Sequence, residues 1–176
     1  DMAMFGKTIG NGYALTAVVG IKEVMSSVED TFISSTFWTE RIGPTAALKT
    51  LEVMENLKSW ELITDIGLKI REGWSSIFNQ YKINFSVSGI PSLSSYNFEH
   101  NDLLIQTYIT QEMLKKGFLA SNRFYACISH TKEIQNTYFT ALEEVIHSLS
   151  RMKFDKNQII NNLDGPIRQS GFKRLN

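Results

Sequence analysis

The chain has 176 residues, and 43% of them are apolar, 11% aromatic and 20% charged. This is the balance of a packed globular protein, and it excludes disorder for the bulk of the chain, which needs low hydrophobicity and high net charge. Eighteen Lys and Arg offset eighteen Asp and Glu, so no global positive field exists to hold nucleic acid or an anionic membrane. The single cysteine, Cys127, cannot form an internal disulfide and points to a reducing compartment. No apolar run approaches the ~20 residues that span a bilayer, and no signal peptide is visible after Asp1. The expectation is a soluble, cytoplasmic globular protein cut from something larger, long enough for one domain or a small domain plus a piece of another.

In chain order, residues 1–12 (DMAMFGKTIGNG) carry a strand-like apolar stretch to a lysine and a glycine turn. Residues 14–21 (ALTAVVGI) form a continuous small and β-branched run, expected for a strand covered on both faces. Residues 22–28 read as a short helical piece, and 31–36 (TFISST) return to strand-like composition. Gly43-Pro44 opens a helix through about residue 56, with Pro44 at a tolerated first-turn position and Ala47, Leu48, Leu51 and Met54 at helical spacing.

Ser59 is suited to cap a long helix whose stripe is Leu62, Ile63, Ile66, Ile70, Trp74, Ile77, Phe78 and Tyr81. Strands at 83–88 and 92–98, joined by a Gly89-Ile90-Pro91 turn, suit a half-solvated antiparallel pair. A helix over 102–116 ends at Gly117, a residue suited to a left-handed cap. Residues 118–119 and 123–129 read as two further short strands. Thr131 caps the next helix, with Ile134, Tyr138, Leu142, Val145 and Leu149 on one face, and Asp155 with Gln158 has capping-box spacing for a last short helix. The second half is therefore a self-contained α/β unit with antiparallel strands, whereas the first sixty residues lack the neighbours that their doubly covered strand requires.

Lys7 is the residue whose setting asks for chemistry. A lysine held in apolar surroundings loses solvation of its ammonium, and the neutral, nucleophilic amine that attacks an aldehyde becomes accessible. A plain exposed lysine at a strand end is the alternative. His100, His130 and His147 lack metal-ligand spacing, so no metal is expected. His130 reads as structural and Cys127 as a small core residue. Arg41 and Arg123 could bind a carboxylate or sit in ordinary ion pairs. The basic tail (Arg168, Lys173, Arg174) is too sparse for nucleic acid.

DMAMFGKTIGNGYALTAVVG resembles the active-site segment of class III aminotransferases, pyridoxal-phosphate enzymes of fold type I. The resemblance implies that Lys7 forms the internal aldimine and shuttles protons. Thr39, five residues before Pro44 and the Thr45-Ala46-Ala47 turn, keeps the spacing of the threonine that reaches the cofactor phosphate of the other subunit. Residues 117–134 (GFLASNRFYACISHTKEI) look like the small-domain segment of the branch containing glutamate-1-semialdehyde aminomutase. Aminomutases have a glutamate after the phenylalanine of that segment, where this chain has Tyr125, and the threonine loop carries Glu40-Arg41-Ile42 in place of small residues. Both departures favour a relative acting on another amino donor and carbonyl acceptor.

The resemblance thus implies the C-terminal two-fifths, roughly, of an α/β fold type I transferase: residues 1–58 as the end of the large cofactor-binding domain, 59–176 as the small domain with an antiparallel sheet. It implies a homodimer with composite sites, pyridoxal 5'-phosphate as cofactor, small-molecule substrates, and no membrane or nucleic acid. The alternatives are a non-catalytic dimerisation or assembly module on the same fold, with Lys7 vestigial, and a glutamate-1-semialdehyde aminomutase.

Overall fold

The computed structural model describes residues 1–171. The chain divides into two compact units, Asp1–Trp60 and Glu61–Asn176. Lys173 and Arg174, two of the three basic tail residues, lie outside the described residues. Among the described residues no helix is long and apolar enough to cross a membrane.

In the first unit β1 (Met2–Phe5) pairs antiparallel with β2 (Ala17–Gly20), Met2 opposite Gly20 and Phe5 opposite Ala17. The strand in the 14–21 run is thus four residues long, and Val18 and Val19 are about half exposed rather than covered on both faces. A two-stranded ribbon offers β2 one neighbour, which leaves the apolar character of the run without a second layer. α1 (Lys22–Met25) runs into a 3-10 turn, Ser26–Asp30. Residues 31–36, expected as a strand, form none: Thr31 turns back by N–H and Oγ1–H bonds to Val28 O, and Ser35 Oγ accepts from Phe37 N–H. These local bonds compete with a ladder.

α2 (Ile42–Leu57) places Pro44 in its first turn, as its fixed φ and missing N–H favour. Its amino end is closed by Glu40, whose carboxylate accepts from the N–H groups of Ile42 and Gly43. Gly43 is buried, and a Cβ there would stand 2.8 Å from Ala14 O. Of the predicted stripe only Ala47 is buried, and Leu48 is 71% exposed. Lys58 takes a left-handed backbone (φ 47°), and its N–H closes the last turn on Glu55 and Met54.

The second unit is built from α3 (Ser59–Gln80, which starts at the seam), a sheet of order β3-β4-β5, and three further helices. Ser59 is the first helical residue rather than a residue preceding it. Ile70, Trp74, Ile77 and Phe78 carry the α3 stripe into the core, while Leu62 stays exposed. β3 (Phe85–Ile90) and β4 (Leu93–Phe98) form a hairpin whose turn is Pro91-Ser92, with Ile90 opposite Leu93. Gly89 and Ile90, expected in the turn, stay in the ladder. Gly89 does so at φ 86°, and a Cβ would sit 2.2 Å from Leu93 O, so only glycine continues the strand to the tip.

α4 (Asp102–Lys115) ends in a Schellman motif. Phe118 N–H bonds to Met113 O and Gly117 N–H to Leu114 O, with Gly117 at φ 84°. Residues 118–119 are not a strand, because this motif consumes their backbone geometry. β5 (Arg123–Tyr125) pairs with β4 and stops short of 129. There His130 Nδ1 accepts from Cys127 N–H and Cys127 O accepts from His130 N–H, folding 127–130 into a turn. Cys127 is consequently exposed, not a core residue.

α5 (Lys132–Arg151) is capped by Thr131 Oγ1 on Ile134 N–H, and α6 (Lys156–Asn161) by the Asp155 carboxylate on Gln158 N–H. Leu142, Val145, Ile146 and Leu149 of α5 meet Ile105, Ile109 and Met113 of α4 and Trp74 of α3 in one core. Trp74 stands edge-on to Tyr96 with centroids 4.8 Å apart, a geometry the ring quadrupoles favour.

Candidate functional site around Lys7

β1 delivers the chain to an extended Gly6 (φ −157°), and Lys7 then turns it with a left-handed backbone, φ 52°. A non-glycine residue in this region costs on the order of 1 kcal/mol or more, a cost that clusters at functional positions. The 3-10 turn Lys7–Ile9 follows. Asn11 (φ 45°) and Gly12 (φ 102°) complete the reversal, and Tyr13 N–H bonds to Gly10 O at 3.0 Å. Gly10 is buried, and a Cβ would lie 2.2 Å from Tyr13 O, so the loop closes on a residue that must lack a side chain.

Lys7 is exposed. The apolar enclosure expected for it is not provided by this chain, since Phe5 and Tyr13 beside it are themselves more than half open or nearly so, at 50% and 58%. Among the described residues its Nζ makes no hydrogen bond or ion pair, and it borders an open depression of about 510 Å³ with Thr8, Asn11, Gly12, Tyr13 and Ala14. Lys7 thus presents its amine on a fixed turn, without the apolar surroundings expected for it.

Thr39 is exposed on the turn before α2 and does not border the Lys7 depression. Around it Phe37, Trp38 and Ile42 are 58%, 69% and 62% exposed. A second depression joins Tyr13 with Arg41, Ile42, Thr45 and Lys49, so Tyr13 borders both. Sequence reasoning passed over Tyr13 and the capping role of Glu40. A carboxylate two residues before a helix start is the signal that could have found the second.

In the second unit Arg123 and His130 share a cleft of about 260 Å³ with Phe118, Phe124, Gln135 and Tyr138. Burial lowers the His130 pKa, and its Nδ1 is taken by Cys127 N–H, a structural role. Burial pushes Tyr138 up to about 12, and its hydroxyl accepts from Trp74 Nε1–H at 2.8 Å. Arg123 is exposed and forms no ion pair among the described residues. No group of three His, Cys, Asp or Glu is placed to hold a metal among them.

Comparison with known proteins gives these loops a context. The family model for class-III aminotransferases matches residues 1–146. The 3-aminobutyryl-CoA aminotransferase of Cloacimonas acidaminovorans is 28% identical over 159 residues, 86% of this chain and 38% of that protein. The glutamate-1-semialdehyde 2,1-aminomutase of Sulfurisphaera tokodaii is 24% identical over 85% of this chain and 40% of its own length. The chain thus spans about two-fifths of the curated relatives it matches.

The FumI protein of Sphingopyxis sp. MTA144, solved in its PLP internal aldimine form, superposes with a TM-score of 0.80 at 20% identity, covering 86% of this chain and 37% of that one. The ornithine aminotransferase of Toxoplasma gondii does so at 0.76 and 16% identity, over 88% and 38%. Both likenesses establish the fold that these residues share with fold type I transaminases. With the Lys7 turn and the Thr39–Pro44 stretch inside the matched region, the chain belongs to the class-III aminotransferase family.

Proposed function

We propose that this chain is the C-terminal part of a pyridoxal-phosphate aminotransferase that moves an amino group between a small-molecule donor and a carbonyl acceptor. The observation that carries the reading is the class-III aminotransferase match over residues 1–146, which contains Lys7 on its positive-φ turn. In this reading residues 1–58 are the end of the cofactor-binding domain and 59–176 the small domain. The protein is a cytoplasmic homodimer, and Thr39 reaches the phosphate held by the partner subunit.

Pyridoxal phosphate suits the donor set, since Lys7 offers the amine its aldehyde needs and Thr39 an exposed hydroxyl for phosphate oxygens. When bound, the cofactor supplies the electron sink. Lys7 Nζ would anchor it and, as a free amine, would carry the proton as general base and then general acid. The Gly10–Tyr13 closure holds the Lys7 backbone still while that nitrogen works. Tyr125 in place of a glutamate supports transfer between two molecules over the aminomutase reaction.

Lys7→Ala in the intact protein is expected to abolish both turnover and borohydride trapping of the cofactor on the chain. Transamination at near the wild-type rate would sink the assignment. A non-catalytic module is supported by the exposed Phe37, Trp38 and Ile42, and it predicts instead that neither cofactor trapping nor turnover occurs in the unmutated protein.

A further inference from the structure

After α6 the chain turns back along α4, and Thr107, Gln111 and Lys115, spaced four apart on one helical face, each hold it. Gln111 Nε2 donates to Asn162 O (2.9 Å) and Gln111 Oε1 accepts from Asp164 N–H (2.7 Å). Lys115 Nζ lies 3.0 Å from the Asp164 carboxylate, and Arg168 N–H donates to Thr107 Oγ1 at 3.1 Å. The segment therefore runs antiparallel to α4, from its last turn towards its first.

At the far end Arg168 leaves α4. Its Nη1 donates to Asn122 Oδ1 at 3.3 Å. Asn122 is only 8% exposed, and it grips Tyr96 of β4 on both sides: its Nδ2 donates to Tyr96 O and its carbonyl accepts from Tyr96 N–H, each at 3.0 Å. The next residues are β5, an edge strand of three residues that a ladder of that length holds poorly by itself. Phe124 of β5 forms a wall of the cleft that also contains Phe118 and Tyr138.

We propose that residues 162–168 are a clasp, with Arg168 as its key, that pins β5 to the sheet through Asn122 and so holds the Phe124 wall of the cleft in place. The inference stands apart from the amino-transfer reading. A buried side-chain atom without a partner among the described residues belongs to this join, Arg168 Nε. A join that leaves a buried donor unmatched is held less firmly than the apolar core behind it. It is therefore poised to open before the unit unfolds.

Hydrogen exchange on the intact protein tests this. Arg168→Met keeps an apolar stem and removes the guanidinium. It is expected to speed exchange about tenfold or more in peptides covering 93–98 and 122–126, while α5 around Leu142 and Val145 keeps its protection. Unchanged β5 exchange, or equal acceleration in α5, would overturn the clasp. Thr107→Val, which removes only the hydroxyl under Arg168 N–H, covers the case of a poorly folding first variant. It should accelerate the same two peptides to a smaller degree, and release of 165–168 with β5 unaffected would refute the coupling.

Discussion

Gly67 lies in the middle of α3, where alanine would ordinarily stabilise a helix by about 1 kcal/mol. Here the sign is expected to reverse. A Cβ built on Gly67 stands 1.9 Å from Pro91 O, 2.4 Å from Pro91 C and 3.1 Å from Ser92 N, all backbone of the β3–β4 turn. The turn cannot easily retreat. Arg71, one helical turn on, donates from Nε to Ser94 Oγ and from Nη2 to Gly89 O, each at 2.7 Å, and Ser94 Oγ donates to Pro91 O at 2.9 Å. Relieving an overlap of about 1 Å must strain or break the Ser94–Pro91 bond, worth about 0.5–1.5 kcal/mol, or the charge-assisted Arg71 bonds, each worth about 1.5–3 kcal/mol. Overpacking itself costs about 1–3 kcal/mol. Gly67→Ala should therefore destabilise by a net of about 1–3 kcal/mol, seen as a lower urea midpoint of the intact protein with unchanged slope. Gly73 and Gly165 serve as controls. At Gly73 the obstacle is the Phe139 ring, 2.2 Å away but a side chain that can turn, and at Gly165 nothing lies within 4 Å. A Gly67→Ala protein as stable as wild type, or more so, would refute the argument.

Thr131→Ala should cost about 1 kcal/mol in the same urea assay, because Ile134 N–H loses its cap. The Tyr138 contribution to stability should be fully present below pH 10 and fall as pH rises from about 10 towards 12: burial raises the Tyr138 pKa to about 12 above its unfolded value near 10, so the folded state holds the proton longer than the unfolded one. A pH series of urea midpoints that keeps rising through this window would contradict that sign. Trp38→Glu, placed among exposed Phe37 and Ile42, should shift the proposed homodimer towards monomer in light scattering and lower activity with it. A monomeric wild-type protein with full activity at low concentration would remove the basis for composite sites.

The elements of the second unit were largely legible because their signals are local. The Trp74 stripe, the Thr131 and Asp155 caps and the left-handed Gly117 each bury or satisfy groups within a few residues of the signal. The misreadings share a cause. Residues 31–36 and 118–119 have strand composition, but a strand needs a partner, and Ser35, Val28 and Met113 offer their backbones nearer bonds. Cys127 has aromatic neighbours in sequence that suggest burial, but the turn made by His130 Nδ1 sends it to the surface. The Lys7 turn was visible as Gly-Lys and Gly-x-Gly. The exposure of Lys7 was not, because enclosure depends on what packs over β1 and β2 and cannot be read from either strand.

Glu40 shows how a departure from the family pattern acquires a physical reason. A carboxylate next to Thr39 would oppose a phosphate dianion brought to that hydroxyl in the proposed dimer. The structure turns both Glu40 oxygens inward to the N–H groups of Ile42 and Gly43, at the positive end of the α2 dipole, where a negative charge is stabilising by about 0.3–1 kcal/mol. Arg41 follows at once and stays exposed beside Tyr13. The loop thus keeps its acidic residue occupied on α2 and leaves the Thr39 hydroxyl and the Arg41 guanidinium exposed, as the proposed dimer requires of a surface that takes an anion.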